Sequence, residues 1–307
     1  MKINICILAI LIVLCTFISG HAVPKGSHET KAVYQSGAAS VESGYLETAE
    51  EIEDSKLQSF KDKMLRYYKD WPKPSKSNEP SPKDRPLSPK EVFLTFDDGP
   101  SPNTEKILKI LNDNGVKASF FVLGSCAERY PDMVKAEYEG GMAILNHSYS
   151  HNYSMYKSLE GCTEDFNRGR DVLKSILGIE PLSFIRFPGG SDNRVSNSNT
   201  MKNIRDTLAG KGIDYVDWNV SSEDASAAKV PADKIRSSTI SQLSHRNFAV
   251  ILMHDAGGKT TTVEALPSII DYLKTQGFVF RTFSDITTAE YNEMLKDKII
   301  DRGAATK

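Results

Sequence analysis

The sequence predicts an α/β domain built on parallel strands. After Glu91, seven short apolar runs rich in β-formers alternate with longer segments of helical character. Several of the helical segments stop at glycine, as a left-handed C-cap requires. Strand–helix alternation is typical of a parallel sheet, either open or closed into a barrel. In both cases, functional side chains are expected at the carboxyl ends of the strands.

The elements can be assigned in order along the chain. The predicted strands are VFLTF (92–96), ASFFVL (118–123), MAILN (142–146), SFIRF (183–187), GIDYVDW (212–218), FAVILMH (248–254) and GFVFRTF (277–283). The predicted helices lie between them, at 103–115, 130–141, 164–178, 199–212, 232–245 and 263–277.

The residues before Glu91 predict export and a non-globular spacer. Lys2 precedes the apolar run INICILAILIVLCTFISG, which ends in small residues, the layout of a secretory signal cleaved after Ala22. The run is also marginally long enough to be an uncleaved membrane anchor. The next segment is rich in Pro, Ser and Lys and is interpreted as a stalk with one possible helix at 51–71. The expected divisions are a signal peptide or anchor at 1–22, a stalk at 23–90, the domain at 91–290 and a tail at 291–307.

The composition excludes little but gives no case for nucleic-acid binding. The chain has 25% charged residues and a net charge of -2, which is ordinary for a globular protein. A monomer is the default expectation. Cys126 and Cys162 lie outside the leader, and sequence leaves open whether they form a disulfide or two free thiols.

Polar residues with metal-binding chemistry follow two of the strands. Asp97 and Asp98 end the first strand, and HSYSH after the third places His147 and His151 four residues apart, able to face one way on a helical turn. Two imidazoles and a carboxylate with one position left open are how catalytic zinc is held. The same triad also holds non-haem iron in oxygenases, although those sites need no second aspartate.

Three further strand ends carry polar or glycine clusters. They contain Arg186 with Pro188, Gly189 and Gly190 in RFPGG, Asp217 and Trp218 in DYVDW, and Leu252 and His254 in ILMH. Bare glycine backbone allows a ligand to approach closely. Five such clusters at five strand ends indicate one active site.

The order TFDDGP, HSYSH, RFPGG, DYVDW, LMH resembles the five motifs of the polysaccharide deacetylase family, carbohydrate esterase family 4, over 91–286. The resemblance implies a distorted (β/α) barrel, here of about seven parallel strands, and metal-dependent removal of N- or O-acetyl groups from sugars. One departure is Gly189, where many relatives carry tyrosine; its backbone N–H is kept, but a wall of the sugar cleft is lost.

The resemblance also implies residue roles. Asp98, His147 and His151 match the ligands of one divalent ion, expected to be zinc, with cobalt, nickel or manganese as substitutes. Asp97 matches the general base and Arg186 its partner, while His254 matches the general acid and Asp217 its partner. Trp218 and Leu252 match the slot for the acetyl methyl group, and the metal and a backbone N–H near Gly189 would stabilise the oxyanion.

The expected substrate is peptidoglycan N-acetylglucosamine, reached by an enzyme secreted or anchored at the outer face of the cytoplasmic membrane. Chitin oligomers, an exopolysaccharide and acetylated xylan remain alternatives. A non-catalytic sugar-binding module would be favoured if the base or the acid were replaced, but Asp97 and His254 are both present.

Overall fold

The computed structural model describes residues 82–301, and a parallel sheet lies at their centre. The strands described there are β1 Glu91–Asp97, β2 Ser119–Val122, β3 Ala143–Asn146, β4 Phe184–Ile185, β5 Asp214–Tyr215, β6 Val220–Ser221, β7 Phe248–His254 and β8 Val279–Arg281. Their order is β5-β4-β3-β2-β1-β7-β6, with β8 paired to the first half of β1. The sheet curls into an incomplete barrel, which confirms the predicted fold class.

The helices within the described range cover the sheet. They are α1 Pro102–Asp113, α2 Gly124–Arg129, α3 Pro131–Glu139, α4 Leu159–Leu177, α5 Ser198–Gly210, α6 Ala232–Leu243, α7 Thr260–Thr275 and α8 Thr288–Lys296. Short 3₁₀ helices occur at Pro82–Asp84, Tyr153–Lys157 and Phe283–Asp285. Ser101 begins α1 with a capping box completed by Thr104, and α4 ends at Gly178 in the left-handed conformation.

The longest strands, β1 and β7, form the core and align the residues at their ends. They pair in parallel over seven positions, from Glu91 beside Phe248 to Asp97 beside His254. All seven residues of β1 are buried, because sheet neighbours and covering helices exclude water from both faces. The rings of Phe93 and Phe283 pack with centroids 5.3 Å apart at the centre of this core.

The domain extends beyond the predicted range of 91–290 at both ends. Residues 291–301 are not a tail, because Met294, Ile299 and Ile300 are buried in the core and Ile300 forms an antiparallel bridge with Val216. At the other end, the Arg85 guanidinium lies 2.5 Å from a Glu290 carboxylate oxygen, so the last residues of the predicted stalk pack on the domain.

The remaining N-terminal predictions lie outside the described residues. These are the signal or anchor at 1–22, the helix at 51–71 and most of the stalk. Within residues 82–301, no helix combines the length and the apolar character that crossing a membrane requires. Cys126 and Cys162 are both free thiols.

Candidate active site

The side chains predicted for the metal site converge at the carboxyl ends of β1 and β3. The Nε2 atoms of His147 and His151 lie 3.4 and 3.3 Å from the Oδ1 atom of Asp98. Among the described residues, this is the one group of three or more His, Cys, Asp or Glu side chains whose ligand atoms lie within 4.8 Å of one another. The backbone turns sharply here, with φ of 75° at Asp98 and 54° at His151.

Neighbouring groups orient the two imidazoles. The Nδ1 atom of His147 lies 2.8 Å from the carbonyl oxygen of Arg186, so Nδ1 is the donor there and Nε2 is left for the site. The hydroxyl of Ser148 accepts a hydrogen bond from the backbone N–H of His151 at 3.1 Å. Asp165 on α4 accepts from the backbone N–H groups of Tyr149 and Ser150, which holds the segment between the two histidines in place.

The donor set fits a divalent cation. Oδ1 of Asp98 is buried and has no hydrogen-bond partner among the described residues, although both imidazoles point towards it. Burial would raise the pKa of Asp98, but the His147 imidazole, whose Nε2 atom is 3.4 Å away, and then the charges of His254 and His151 hold that pKa well below its usual range. Burial would lower the pKa of His147, and the two aspartates nevertheless raise it. Negative surroundings that favour a proton on His147 also favour a metal ion.

Asp97 has different surroundings from Asp98. Its Oδ1 atom accepts a hydrogen bond from Nη1 of Arg186 at 2.8 Å, and its Oδ2 atom lies 3.7 Å from Nε2 of His147. Arg186 is fully buried, with its guanidinium 3.9 Å from the ring centroid of Phe121. It also donates to the hydroxyl of Thr95 at 2.8 Å. This network fixes one carboxylate oxygen of Asp97 and leaves the other facing His147.

His254 lies beside Asp97 in strand register, but its carboxylate partner is Asp224. Its Nδ1 atom lies 2.7 Å from Oδ1 of Asp224, whose Oδ2 atom accepts from the His254 backbone N–H and from the hydroxyl of Thr262, each at 2.8 Å. Burial would lower the pKa of His254, yet the hydrogen bond and charge of Asp224 raise it to about 9. The imidazole therefore carries a proton at neutral pH.

The predicted pairing of Asp217 with His254 is wrong. Asp217 follows β5, at the far end of the strand order, whereas Asp224 follows β6, which is hydrogen-bonded to β7. Asp217 instead accepts from the backbone N–H of Ser191 at 2.9 Å and from its hydroxyl at 2.5 Å. It therefore fixes the loop after β4.

Asp224 was missed because β6 has only two residues and gives no periodic signal. The available signal was the position of Asp224, three residues after the short strand Val220–Ser221 and before the strand that ends at His254. Without the strand order, that residue could not be preferred over Asp217.

The predicted substrate-binding residues occupy the same end of the sheet. Pro188 and Gly190 are buried, Gly189 between them is exposed, and both glycines have positive φ, 80° and 85°. The backbone N–H of Gly190 is already used, because it donates to the carbonyl of Phe187 at 2.8 Å. Gly189 is exposed, so its backbone lies at the surface of the loop.

The two apolar residues also lie in this region. A Cβ atom at Gly190 would lie 3.3 Å from the Trp218 ring, so the ring packs directly against the loop. Leu252, two residues before His254 on β7, is 8% exposed and shares its side of the strand.

Together, these positions define a hydrolase-type site, in which a His-His-Asp set that could hold a metal ion lies at the carboxyl ends of the strands of an incomplete α/β barrel. Residues 84–207 match the family model for polysaccharide deacetylase. The chain is 30% identical over 200 residues to a peptidoglycan-N-acetylglucosamine deacetylase of Bacillus cereus, covering 64% of this chain and 70% of the relative.

Solved structures of related enzymes indicate the same family. The catalytic domain of a peptidoglycan N-acetylglucosamine deacetylase from Eubacterium rectale matches with a TM-score of 0.61 and 33% identity, covering 66% of this chain and 92% of that one. A family 4 carbohydrate esterase from Streptomyces lividans, solved with acetate, matches with a TM-score of 0.54 and 29% identity, covering 64% and 94%. The chain belongs to the polysaccharide deacetylase family, carbohydrate esterase family 4, and is a hydrolase of that family.

Proposed function

We propose that the protein is a metal-dependent deacetylase that removes acetyl groups from N-acetylglucosamine in peptidoglycan. The observation that carries the proposal is the division of the two aspartates: Asp98 faces two imidazoles, while Asp97 faces a buried arginine and lies beside His254. A ligand, a base and an acid at one point are the groups that amide hydrolysis needs.

Asp98, His147 and His151 would hold one divalent ion. Zinc suits two imidazoles and a carboxylate, and cobalt, nickel or manganese are expected as substitutes. When bound, such an ion polarises the acetyl carbonyl and lowers the pKa of an attacking water.

The chain's own residues would move the protons. Asp97 takes the proton from the attacking water: Nη1 of Arg186, 2.8 Å from its Oδ1 atom, fixes that oxygen and leaves Oδ2 to accept the proton. His254 starts protonated and delivers its proton to the leaving amine, while Asp224 holds the ring and stabilises the imidazolium. The backbone N–H of Gly189 is the proposed donor to the oxyanion, and Trp218 and Leu252 are proposed to contact the acetyl methyl group.

The choice of substrate is supported by the relatives. The similar enzymes of Bacillus cereus and Eubacterium rectale are both named for peptidoglycan N-acetylglucosamine. The signal-like run at 3–20 in the sequence supports export, as either a secreted or an anchored enzyme. We also propose that the enzyme acts as a monomer, since one chain supplies every residue of the site.

The test combines metal reconstitution with a substrate panel. Protein stripped by EDTA is reloaded with zinc, cobalt, nickel or manganese and offered N-acetylated glycan strands, chitin oligomers and acetylated xylan. We expect equal release of acetate and free amine, highest on the glycan strands, and only after reloading. Acetate without free amine would make the enzyme an esterase, and activity undiminished by EDTA would refute metal dependence. No acetate from any substrate would refute the proposed function.

A further inference from the structure

An exposed aromatic ring lies at the edge of the proposed metal site. Tyr153 begins the 3₁₀ helix Tyr153–Lys157, two residues after His151, and is 42% exposed. Its ring meets the His151 ring edge-on, with centroids 5.7 Å apart and planes at 61°. The ring therefore presents apolar surface to solvent directly beside a proposed metal ligand.

The same ring occupies the space above Gly189. A Cβ atom built on Gly189 would lie 3.1 Å from the hydroxyl oxygen of Tyr153 and 3.2 Å from its Cε1 atom. With φ of 80°, residue 189 is already in a conformation that favours glycine. The ring therefore packs over the glycine closely enough that a side chain at residue 189 would require the ring to shift.

The ring is held in position by its own helix. Tyr156, one turn later, is fully buried, and its hydroxyl donates to the carbonyl of Pro188 at 2.9 Å. The centroids of the Tyr153 and Tyr156 rings are 6.2 Å apart, at 32°. The Asn152 side chain caps the helix by accepting from the backbone N–H of Ser154 at 2.9 Å. Because the helix is tied to the glycine loop, little freedom is lost when a ligand contacts the ring.

We propose that Tyr153 forms a wall of the sugar cleft and contacts a sugar residue next to the one being deacetylated, so that it favours longer oligosaccharides. A pyranose ring has C–H faces and hydroxyl edges, which match a flat ring with one polar tip. The inference rests on the proposed function and assigns to this residue the preference for chain length.

The test compares Tyr153→Leu and Tyr153→Phe with Tyr138→Leu, at a second exposed tyrosine (45%) on α3. Each variant is assayed on chitin oligomers of increasing length and on a small aryl acetate, at metal occupancy measured by elemental analysis. The readout is the kcat/KM for the longest oligomer divided by that for the aryl acetate. We expect this ratio to fall about tenfold in Tyr153→Leu, as for one lost aromatic contact. It should be kept in Tyr153→Phe and in the Tyr138 control.

Two outcomes would overturn the inference. One is an unchanged ratio in Tyr153→Leu. The other is a Tyr153→Leu variant that binds no metal even with zinc in excess, which would make the ring a support for His151. The proposed function fails separately, if the unaltered enzyme releases no acetate from any sugar.

Discussion

Asp97 and Asp98 are adjacent in the sequence and both approach Nε2 of His147, but their other contacts differ. Asp97 ends β1 in extended backbone, beside Arg186, whereas Asp98 has turned to positive φ and faces His147 and His151. Two neighbouring carboxylates would repel each other in the same surroundings. Here each is opposite its own cationic or imidazole partners, which separates proton transfer from metal binding.

Substitutions should separate the two functions. Asp98→Ala removes a proposed ligand, so bound metal and activity should be lost together. Asp97→Asn keeps an oxygen for Arg186 but cannot accept a proton, so metal should be retained while kcat falls by about a hundredfold or more. His254→Ala should behave like Asp97→Asn. Elemental analysis and turnover, measured on the three proteins together, decide the matter; metal lost from Asp97→Asn but kept by Asp98→Ala would reverse the assignment.

The pKa of His254 gives a second prediction at this scale. That pKa is about 9, and a cation bound beside Asp98 acts to lower it, so the alkaline limb of the rate profile should lie at or below pH 9. Asp224→Asn removes the anion that raises the pKa, and the limb should move down by about one pH unit or more. Asp217→Asn is the matched control: it disturbs the glycine loop and lowers the rate, but leaves the limb in place. An alkaline limb that moves only in the Asp217→Asn variant would instead support the pairing of Asp217 with His254.

At the scale of elements, long apolar runs were predictable and short or tertiary elements were not. β1 and β7 have seven consecutive residues each and were identified with their site residues, because strands buried on both faces are almost entirely apolar. β6 has two residues and α2 has six, too few for a period to show. The two histidines of the proposed metal site were predictable because both lie in one short motif, and Asp98 because it follows a long strand, whereas the role of Asp224 depends on which strand lies beside β7.

Helix α8 was also not predicted, because residues 291–307 were expected to form a tail. Its place in the core can be tested. Met294 is fully buried, while its neighbour Leu295 is 40% exposed. If α8 is part of the core, Met294→Ala should lower the free energy of unfolding by about 2–5 kcal/mol, as buried methionine deletions do. Leu295→Ala should change it by about 0.5 kcal/mol or less. Denaturant unfolding of both variants measures this, and equal small effects would mean that α8 is peripheral, as a tail would be.

At the scale of the whole molecule, the pH dependence of stability should reflect Glu137, a buried carboxyl group that the proposed chemistry does not use. It is influenced by the charge of Asp255, the residue after His254. Glu137 on α3 has no exposed surface, and neither of its carboxylate oxygens has a hydrogen-bond partner among the described residues. Burial, and then the charge of Asp255, raise the pKa of Glu137 well above its ordinary value. Burial likewise raises the pKa of Asp255 to about 7, against the hydrogen bond from Thr104. The folded protein therefore keeps a proton on Glu137 that the unfolded chain releases.

This difference predicts how stability depends on pH. Glu137 ionises at about 4.5 in the unfolded chain but at higher pH in the folded protein, so as pH rises above 4.5 only the unfolded state is stabilised by losing the proton. The contribution of Glu137 to stability should therefore fall with rising pH by up to about 1.4 kcal/mol per pH unit, until the folded-state pKa is reached. Glu137→Gln keeps the shape without the titration, so it should match the unaltered protein near pH 4 and be increasingly more stable towards pH 8. Glu139→Gln, on the exposed side of the same helix, is the control and should follow the unaltered protein throughout. Urea unfolding across this pH range measures the gap, and a gap that stays constant with pH would show that Glu137 is ionised in the folded state.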